Sequence, residues 1–273
     1  MYNSQMEKMD KENMEKVVII TGASGGIGFA TAKLFAQNGY KVVGISKAEF
    51  NSDYFEHYYC DITDTESVKR IFEQVEQKYG RIDILINNAG LGISGAIEFA
   101  DKKDIDLIFD VNIKAVIEVS KIAIPYLRKT KGKILNTSSV AAQFAIPFQA
   151  CYSATKSAIE TFSLALANEL RLQGIKVCCI RPGDTKTTFT ANRIKNETTS
   201  EFYNDRINKS VKKMEKDEQQ GDSPLKVAKL FLKVAKKKNP PLIASVDFVY
   251  KLLGGLEKIL PKKFVNWIVY KMY

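Results

Sequence analysis

Short apolar runs alternate with longer segments of mixed polarity along most of the chain. The apolar runs are rich in Val and Ile and contain few polar positions, which is the pattern of strands covered on both faces of a sheet. Between them, apolar residues recur at helical spacing. The runs predict strands at 17–20, 41–45, 57–60, 82–86, 133–136, 176–180 and 242–244, and the intervening segments predict helices at 26–37, 65–78, 104–128 and 152–172.

This alternation of strands and helices with short connections predicts parallel strands joined by right-handed crossovers. We therefore expect an α/β fold, a doubly wound parallel sheet of Rossmann type with helices on both faces. The expected organisation is a flexible arm over residues 1–13, one catalytic domain over residues 14–245 and a basic amphipathic tail over residues 246–273. Residues 184–222 are polar and follow a strand end, where such sheets bind ligands, so a substrate lid is expected there. A passive surface excursion is the alternative.

Composition narrows the function classes only modestly. The chain has 273 residues, of which 45% are apolar, and this suffices for a sizeable core. Its four cysteines form no Cys-x-x-Cys pair and His57 is the one histidine, so no metal site is expected and the thiols suit a cytoplasmic protein. The polar first residues do not predict a signal peptide, and no uncharged apolar run reaches the ~18 residues of a membrane span.

Positive charge is concentrated near the end of the chain. The net charge is +10, and residues 224–273 contain 11 lysines against two acidic residues. No nucleic-acid-reading motif accompanies this charge, so nucleic acid is not the expected partner. An anionic membrane surface or an acidic substrate carrier fits better, and a solvated lysine face is the alternative.

A glycine-rich loop, TGASGGIG over residues 21–28, joins the first predicted strand to the first helix. Gly22 permits a tight turn, Gly26 allows the backbone to approach a pyrophosphate, and Gly28 allows close helix-to-strand packing. The free N–H groups at the helix N-terminus attract phosphate oxygens. This placement between strand and helix predicts a dinucleotide site.

The second predicted strand ends at Ser46-Lys47, where an NAD-selective site commonly has an acidic residue that binds the ribose 2′-hydroxyl. An acid would repel a 2′-phosphate, whereas Lys47 and Ser24 could hold one. We therefore predict NADP(H) over NAD(H), although Glu49 lies nearby in sequence.

Tyr152 and Lys156 are four residues apart, which is one turn of a helix. Ser139 lies 13 residues before Tyr152. A phenol ionises near pH ~10, and a neighbouring ammonium favours the phenolate, so Lys156 is expected to lower the pKa of Tyr152. The pair suits a proton donor and acceptor, and the Ser139 hydroxyl could hold a carbonyl oxygen.

Together these motifs resemble those of the short-chain dehydrogenase/reductase family, in family order and spacing, from about Lys16 to Thr188. The matching segments are TGASGGIG (21–28), CDIT around Asp61, NNAG (87–90), VNIKA around Asn112, NTSS ending at Ser139, YSATK (152–156) and RPGDTKT (181–187).

The resemblance implies roles for these positions. Tyr152 would be the general acid in carbonyl reduction and the general base in alcohol oxidation, Ser139 would orient the substrate oxygen, Lys156 would also hold the nicotinamide ribose, and Asn112 would interrupt its helix and position a water in a proton relay. Thr185 departs from the aliphatic residue that the family often has. The implied cofactor-binding residues are Gly22, Ser24, Gly26, Ile27, Gly28, Ser46, Lys47, Asp61, Ile62, Asn88, Ala89, Gly90, Tyr152, Lys156, Pro182, Gly183, Thr185 and Thr187.

The expected substrate-facing side chains, besides Ser139, are Phe144, Phe148 and Phe189. They are apolar and have little to bind a charged head group, so a lipophilic ketone or secondary alcohol such as a steroid, retinoid or fatty-acyl chain is expected. Core or dimer packing is the alternative. The tail mixes aromatic residues with lysines, which suits a cap over the cleft or an oligomer contact first, and peripheral membrane contact second.

The leading interpretation is an NADP(H)-dependent oxidoreductase that interconverts a carbonyl and a secondary alcohol on a lipophilic substrate. A 3-oxoacyl-thioester reductase of the acyl-carrier-protein type is the main alternative, because a basic patch suits an acidic carrier. A catalytically silent NADP(H)-sensing binding protein is an alternative of another class, and the intact Ser139, Tyr152 and Lys156 argue against it. The resemblance also implies a homodimer or homotetramer.

Overall fold

The structure, a computed structural model, describes residues 15–246 and 260–273. The expected N-terminal arm over residues 1–13 and most of the first half of the expected tail, residues 247–259, lie outside the described residues.

Nine strands are present in the described part of the chain. They are β1 Val17–Thr21, β2 Lys41–Ser46, β3 Glu56–Tyr59, β4 Ile84–Asn87, β5 Ile93–Ser94, β6 Lys133–Thr137, β7 Lys176–Arg181, β8 Ile194–Lys195 and β9 Ile243–Ser245. Seven of them form one sheet in the order β3-β2-β1-β4-β6-β7-β9, and every adjacent pair is parallel. This confirms the predicted doubly wound sheet, because the strand order reverses direction between β1 and β4.

The helices cover both faces of the sheet. They are α1 Gly26–Ala36, α2 Thr65–Tyr79, α3 Lys102–Phe109, α4 Ala115–Thr130, α5 Ala150–Glu169, α6 Arg206–Gln220, α7 Pro224–Lys236 and α8 Lys262–Met272. Alternate residues of each strand enter two separate cores. Ile19 and Leu85 pack with α2, α4 and α5, whereas Ile20 and Ile86 pack with α1 and α7.

The predicted helix over residues 104–128 is divided into three elements. A π-helical turn, Asp110–Lys114, separates α3 from α4. The apolar pattern does not show this turn, although the family resemblance implies that Asn112 interrupts its helix. The Asn112 side chain hydrogen-bonds to the loop after β4. The predicted helix over residues 152–172 begins earlier, at Ala150, and ends at Glu169.

The two ends of the expected lid segment, at Asp184 and Asp222, are hydrogen-bonded to each other. The N–H of Asp222 donates to the carbonyl of Asp184 at 2.9 Å, and the N–H of Lys186 donates to the carbonyl of Asp222 at 2.9 Å. Between these ends the segment contains β8, which pairs with β5, and the helix α6. The two-residue strands β5 and β8 are too short to produce a periodic sequence signal.

The C-terminal helix α8 packs on the lid helix α6. Arg206 of α6 lies over the Tyr270 ring at 3.7 Å and donates to the Tyr270 carbonyl at 3.1 Å. The Ser210 hydroxyl donates to the main-chain oxygen of Tyr273. Among the described helices, none has the length and apolarity needed to cross a bilayer.

Candidate active site

A cleft of about 750 Å³ lies at the carboxyl edge of the sheet, above the point where the strand order reverses. Its walls come from the segments that follow β1, β2, β3, β4, β6 and β7 and from α1 and α5, with single residues of α3, of the π-helical turn and of α6. Parallel sheets of this type bind ligands at this place, because the crossovers leave a crevice between neighbouring loops.

The glycine-rich loop forms one end of the cleft. Gly22 has φ +68°, and a Cβ there would lie 2.8 Å from the Cα of Ala89. Gly28 does not line the cleft; a Cβ on it would lie 2.0 Å from the Gly22 carbonyl oxygen, so its role is the close packing of α1 against the loop. No side chain caps α1 at Gly25, which leaves its first N–H groups available to an anion.

The loop after β4 is tied to the loop after β1. Main-chain N–H groups of Asn88 and Ala89 donate to the Thr21 hydroxyl at 3.0 and 3.1 Å. The Asn88 amide donates to the carbonyls of Thr21 and Gly22 at 3.2 and 3.3 Å. These bonds fix the floor of the cleft between the two strands at which the sheet order reverses.

Ser46, Lys47, Asp61 and Ile62 line the far end of the cleft. The Ser46 hydroxyl is hydrogen-bonded to Nε2 of His57 at 2.6 Å. The Lys47 ammonium lies 2.8 Å from the Asp61 carboxylate, and its side chain is 71% exposed. An exposed ion pair of this kind contributes little to stability, so Lys47 can exchange Asp61 for another anion at small cost.

Asn112 lies in the π-helical turn and is buried behind the cleft wall. Its Oδ1 accepts the Leu91 N–H at 2.9 Å, and its Nδ2 donates to the Leu91 carbonyl at 2.9 Å and to the Thr155 hydroxyl at 3.2 Å. The side chain therefore joins the β4 loop to the helix α5. These contacts do not test the water-positioning role that the family resemblance implies for Asn112.

Ser139 and Tyr152 come together in the middle of the cleft. Ser139 follows β6 in an extended conformation and accepts the Ala141 N–H at 3.1 Å. Burial is the largest influence on the Tyr152 phenol and raises its pKa to about 12, while a hydrogen bond with Ser139 acts in the opposite direction. The phenol thus holds its proton firmly at neutral pH, which suits a proton donor to a stronger base.

Lys156 lies one turn along α5 and faces the same cleft. Its ammonium lies 5.7 Å from the centre of the Tyr152 ring and donates to the Thr137 carbonyl at 3.1 Å. Burial lowers the pKa of Lys156 to about 8. The expected lowering of the Tyr152 pKa by Lys156 is not seen in the chain alone: burial raises the pKa of the phenol, and the groups that act in the opposite direction are Ser139 and Arg193.

The segment after β7 forms the remaining wall. Pro182, Gly183, Thr185 and Thr187 line the cleft, and the Thr185 hydroxyl donates to the Gly183 carbonyl at 2.9 Å. Of the expected substrate-facing aromatics, Phe189 lies in this wall with its ring 5.7 Å from that of Tyr152.

The structure does not bring Phe144 and Phe148 to the cleft. Phe148 has φ +61° just before α5, and its ring packs against that of Tyr203 in the lid, with ring centres 6.0 Å apart. Phe144 is half-buried and follows the short helical turn Val140–Ala142. Gly28 and Asn112 also lie outside the lining, and the other expected site residues line the cleft.

Two acidic residues in the cleft wall were not expected from the sequence. Asp184 and Glu218 both line the cleft, and their charges raise the pKa of Tyr152. Glu218 is 34 residues from Asp184 along the chain, on α6, so only the folded lid places it here. The sequence pattern does not predict that Glu218 lines the cleft, since α6 has further acidic residues, Glu215 and Asp217, close to it in the chain.

The sequence profile described as short chain dehydrogenase matches residues 16–198. A 3-ketodihydrosphingosine reductase of Bacteroides thetaiotaomicron is 38% identical over 257 residues, which cover 93% of each chain. A 3-oxoacyl-[acyl-carrier-protein] reductase of Thermotoga maritima is 37% identical over 187 residues, 64% of this chain and 76% of that one. The crystal structure of a 3-ketoacyl-(acyl-carrier-protein) reductase of Brucella melitensis complexed with NADH superposes with a TM-score of 0.72 at 25% identity, covering 86% of this chain and 97% of that one.

Proposed function

The chain belongs to the short-chain dehydrogenase family, and we propose that within it the protein is an NADP(H)-dependent reductase of long-chain 3-keto lipids of the 3-ketodihydrosphingosine type. As a family member it is an oxidoreductase that acts on a carbonyl or CH–OH group with a nicotinamide cofactor. The proposal concerns the substrate and the choice between the two dinucleotides.

The observation that carries the substrate proposal is the extent of the match to the Bacteroides reductase. That match covers 93% of this chain, so it includes lid and tail sequence, whereas the match to the Thermotoga carrier-protein reductase covers 64%. The dinucleotide-binding half is common to many substrates, and specificity comes from the loops and the lid above the sheet edge. Similarity that continues through those parts supports a shared substrate class.

The residues in the cleft fit the proposed reaction. When bound, the reduced dinucleotide supplies a hydride to the carbonyl carbon. Ser139 and Tyr152 are placed to hydrogen-bond the carbonyl oxygen, on which negative charge develops. Tyr152 then transfers its proton to that oxygen, and because an alkoxide is a stronger base than a phenolate, this transfer is favourable even with the Tyr152 pKa at about 12.

A substrate comparison tests the proposal. NADPH consumption is measured with 3-ketodihydrosphingosine, a long-chain 3-oxoacyl thioester and a ketosteroid at equal concentrations. We expect the highest kcat/KM with 3-ketodihydrosphingosine. A higher value with the thioester would favour the carrier-protein reductase, and tight NADPH binding without turnover of any substrate would favour a sensing protein.

The preference for NADP(H) is proposed from the end of β2. No acidic residue occupies the position of Lys47, and Ser24, Ser46 and Lys47 all line that end of the cleft. The Brucella neighbour is complexed with NADH, so the fold itself does not decide the preference. Local charge supports NADP(H), because an ammonium attracts the 2′-phosphate that distinguishes the two cofactors.

Lys47→Ala is therefore expected to raise the KM for NADPH about tenfold or more, with a much smaller effect on the KM for NADH. Lys41→Ala is the matched control, because Lys41 begins the same strand, is exposed and pairs with Glu15 outside the cleft. Steady-state kinetics with both cofactors provide the measurement. A wild-type protein that prefers NADH, or equal effects of Lys47→Ala on both cofactors, would contradict the assignment.

We also propose that the outer face of α8 contacts an anionic lipid surface, where a sphingoid substrate would reside. Phe264 and Trp267 stack with ring centres 6.1 Å apart, and Trp267 is 54% exposed. Lys262, Lys263 and Lys271 lie on the same helix. Exposed aromatics combined with lysines suit the interface of an anionic membrane.

Replacing both Phe264 and Trp267 by Ser is expected to lower partitioning onto anionic vesicles about tenfold or more. Phe202→Ser is the control, since Phe202 is an exposed aromatic of the lid and is not part of α8. Vesicle flotation measures the effect. Equal flotation of the wild type and the double variant would exclude α8 as the lipid contact, and a change of mass in light scattering would indicate a contact between copies of the chain instead.

A further inference from the structure

Glu218 is a carboxylate in the cleft wall that the reduction of a purely apolar ketone would not need. It lies near the end of α6, and its side chain is 16% exposed. A charged carboxylate beside a reaction centre with developing negative charge is unfavourable unless a cation accompanies it, and Arg193 supplies that cation. What calls for an explanation in terms of the ligand is that this ion pair contributes a carboxylate to the lining of the cleft.

The Glu218 carboxylate is held in a fixed orientation. One oxygen accepts from Nη2 of Arg193 and the other from the hydroxyl of Thr190. The Arg193 side chain is 1% exposed, and its Nε and Nη1 have no hydrogen-bond partner among the described residues. Burying a guanidinium with unpaired donors costs stability. We therefore interpret the buried Arg193 as a group that fixes the position of the Glu218 carboxylate.

A series of side-chain contacts connects Arg193 to Tyr152. The Arg193 guanidinium lies 5.9 Å from the Phe189 ring, and the Phe189 ring lies 5.7 Å from the Tyr152 ring. Glu218 and Phe189 line the same cleft as Tyr152. The Glu218 charge also raises the pKa of the Tyr152 phenol, so the carboxylate lies within electrostatic range of the hydroxyl that would bind the substrate carbonyl.

A carboxylate has about four acceptor sites, and Arg193 and Thr190 use two of those of Glu218. The remaining sites can accept from a substrate ammonium. In a 3-keto sphingoid the amino group is attached to the carbon next to the carbonyl, so an amine bound there must lie close to Tyr152. Asp184, a second carboxylate of the lining whose charge acts on Tyr152, adds to the negative potential there.

We propose that Glu218, oriented by Arg193 and Thr190, binds the ammonium group of the substrate and selects long-chain ketones that carry a protonated amine beside the carbonyl. This assignment rests on the proposed function and identifies the residue that distinguishes amino ketones from plain 3-keto lipids. Charge-assisted hydrogen bonds of this kind discriminate between substrates, because a substrate without the amine leaves the remaining acceptor sites of the Glu218 carboxylate unfilled in the closed cleft.

The test compares 3-ketodihydrosphingosine with 1-hydroxyoctadecan-3-one, the same chain without the amine, in the wild type and in Glu218→Gln. The ratio of kcat/KM for the amino ketone to that for the plain ketone is expected to exceed one in the wild type. In Glu218→Gln we expect this ratio to fall about tenfold or more, mainly through the KM of the amino ketone. A purely structural role of Glu218 would lower both kcat/KM values together and leave their ratio unchanged.

Glu215→Gln is the matched control. Glu215 lies one turn earlier on α6 and also pairs with a cation of the lid, Lys195 at 2.5 Å, but it does not line the cleft. Its substitution is expected to leave the ratio as in the wild type. Glu218→Asp, which keeps the charge, should retain part of the preference and provides a second variant if Glu218→Gln unfolds early in thermal denaturation.

The outcomes separate the two proposals. A wild-type protein that reduces neither ketone defeats the proposed function and the assignment with it. A wild type that reduces both, with the same ratio in Glu218→Gln, leaves the proposed function standing and overturns only the role of Glu218.

Discussion

Tyr152→Phe is expected to lower the turnover number for carbonyl reduction by about 10²–10⁴-fold, the usual contribution of a positioned general acid. The variant keeps the ring that packs against Phe189 and removes only the hydroxyl that hydrogen-bonds with Ser139. The fold should therefore be retained, and the dissociation constant of NADPH should change by less than about threefold.

The matched control for this substitution is Tyr79→Phe. The Tyr79 hydroxyl donates to Glu56 at 2.6 Å, so this variant also loses a hydrogen bond of a half-buried phenol, but at a place remote from the cleft. Single-turnover measurements with NADPH separate the chemical step from product release. Turnover of Tyr152→Phe close to that of the wild type would exclude Tyr152 as the proton donor.

Lys156→Met is expected to lower turnover by about 10²-fold or more, because it removes a positive charge beside the phenol and the developing oxyanion. The loss should not come from unfolding. The ammonium is buried and its pKa is lowered to about 8, so its charged form is destabilised in the folded protein. Met has a similar length and carries no charge, which offsets the loss of the hydrogen bond to Thr137.

The pH dependence of stability gives a second readout for Lys156. Its folded pKa of about 8 is lower than the ordinary value of 10.5, so between these values the unfolded chain binds more protons than the folded one. The wild type is therefore penalised below pH 8 and gains stability as the pH rises. Relative to Lys156→Met, its free energy of unfolding should increase by about 2 kcal/mol between about pH 8 and pH 10.

Chemical denaturation of both proteins across this pH range, without dinucleotide, provides the measurement. Using the difference between the two proteins removes the contributions of the other titrating groups. Parallel stability curves would mean that Lys156 is not in the buried environment described here, and the electrostatic account of the site would then be wrong.

The sequence predicts the sheet well because its strands are continuous apolar runs, as in Val17–Thr21 and Lys176–Arg181. The dinucleotide loop and the Tyr152–Lys156 pair are equally visible, since each depends on residues close together in the chain. These features can be predicted because they depend on the spacing of residues that are close together in the chain, and the fold agrees with that local spacing.

Features that depend on distant contacts are not visible in the same way. The π-helical turn at Asn112 follows from hydrogen bonds to Leu91, 21 residues away. The spacing of Tyr152 and Lys156 indicates that the ammonium is near the phenol but does not weigh burial, which raises the Tyr152 pKa instead. Glu218 enters the cleft only because α6 folds back over it.

The most direct test of the central claim is the transfer of deuterium from NADPH that carries deuterium at both C4 positions of the nicotinamide. With 3-ketodihydrosphingosine, mass spectrometry should show one deuterium on carbon 3 of the product alcohol for each NADP⁺ formed by the wild type. In the same time, Tyr152→Phe should form almost no deuterated product. Tight binding of both ligands without deuterium in the product would contradict the assignment of this cleft as a carbonyl-reducing site for 3-keto sphingoid lipids.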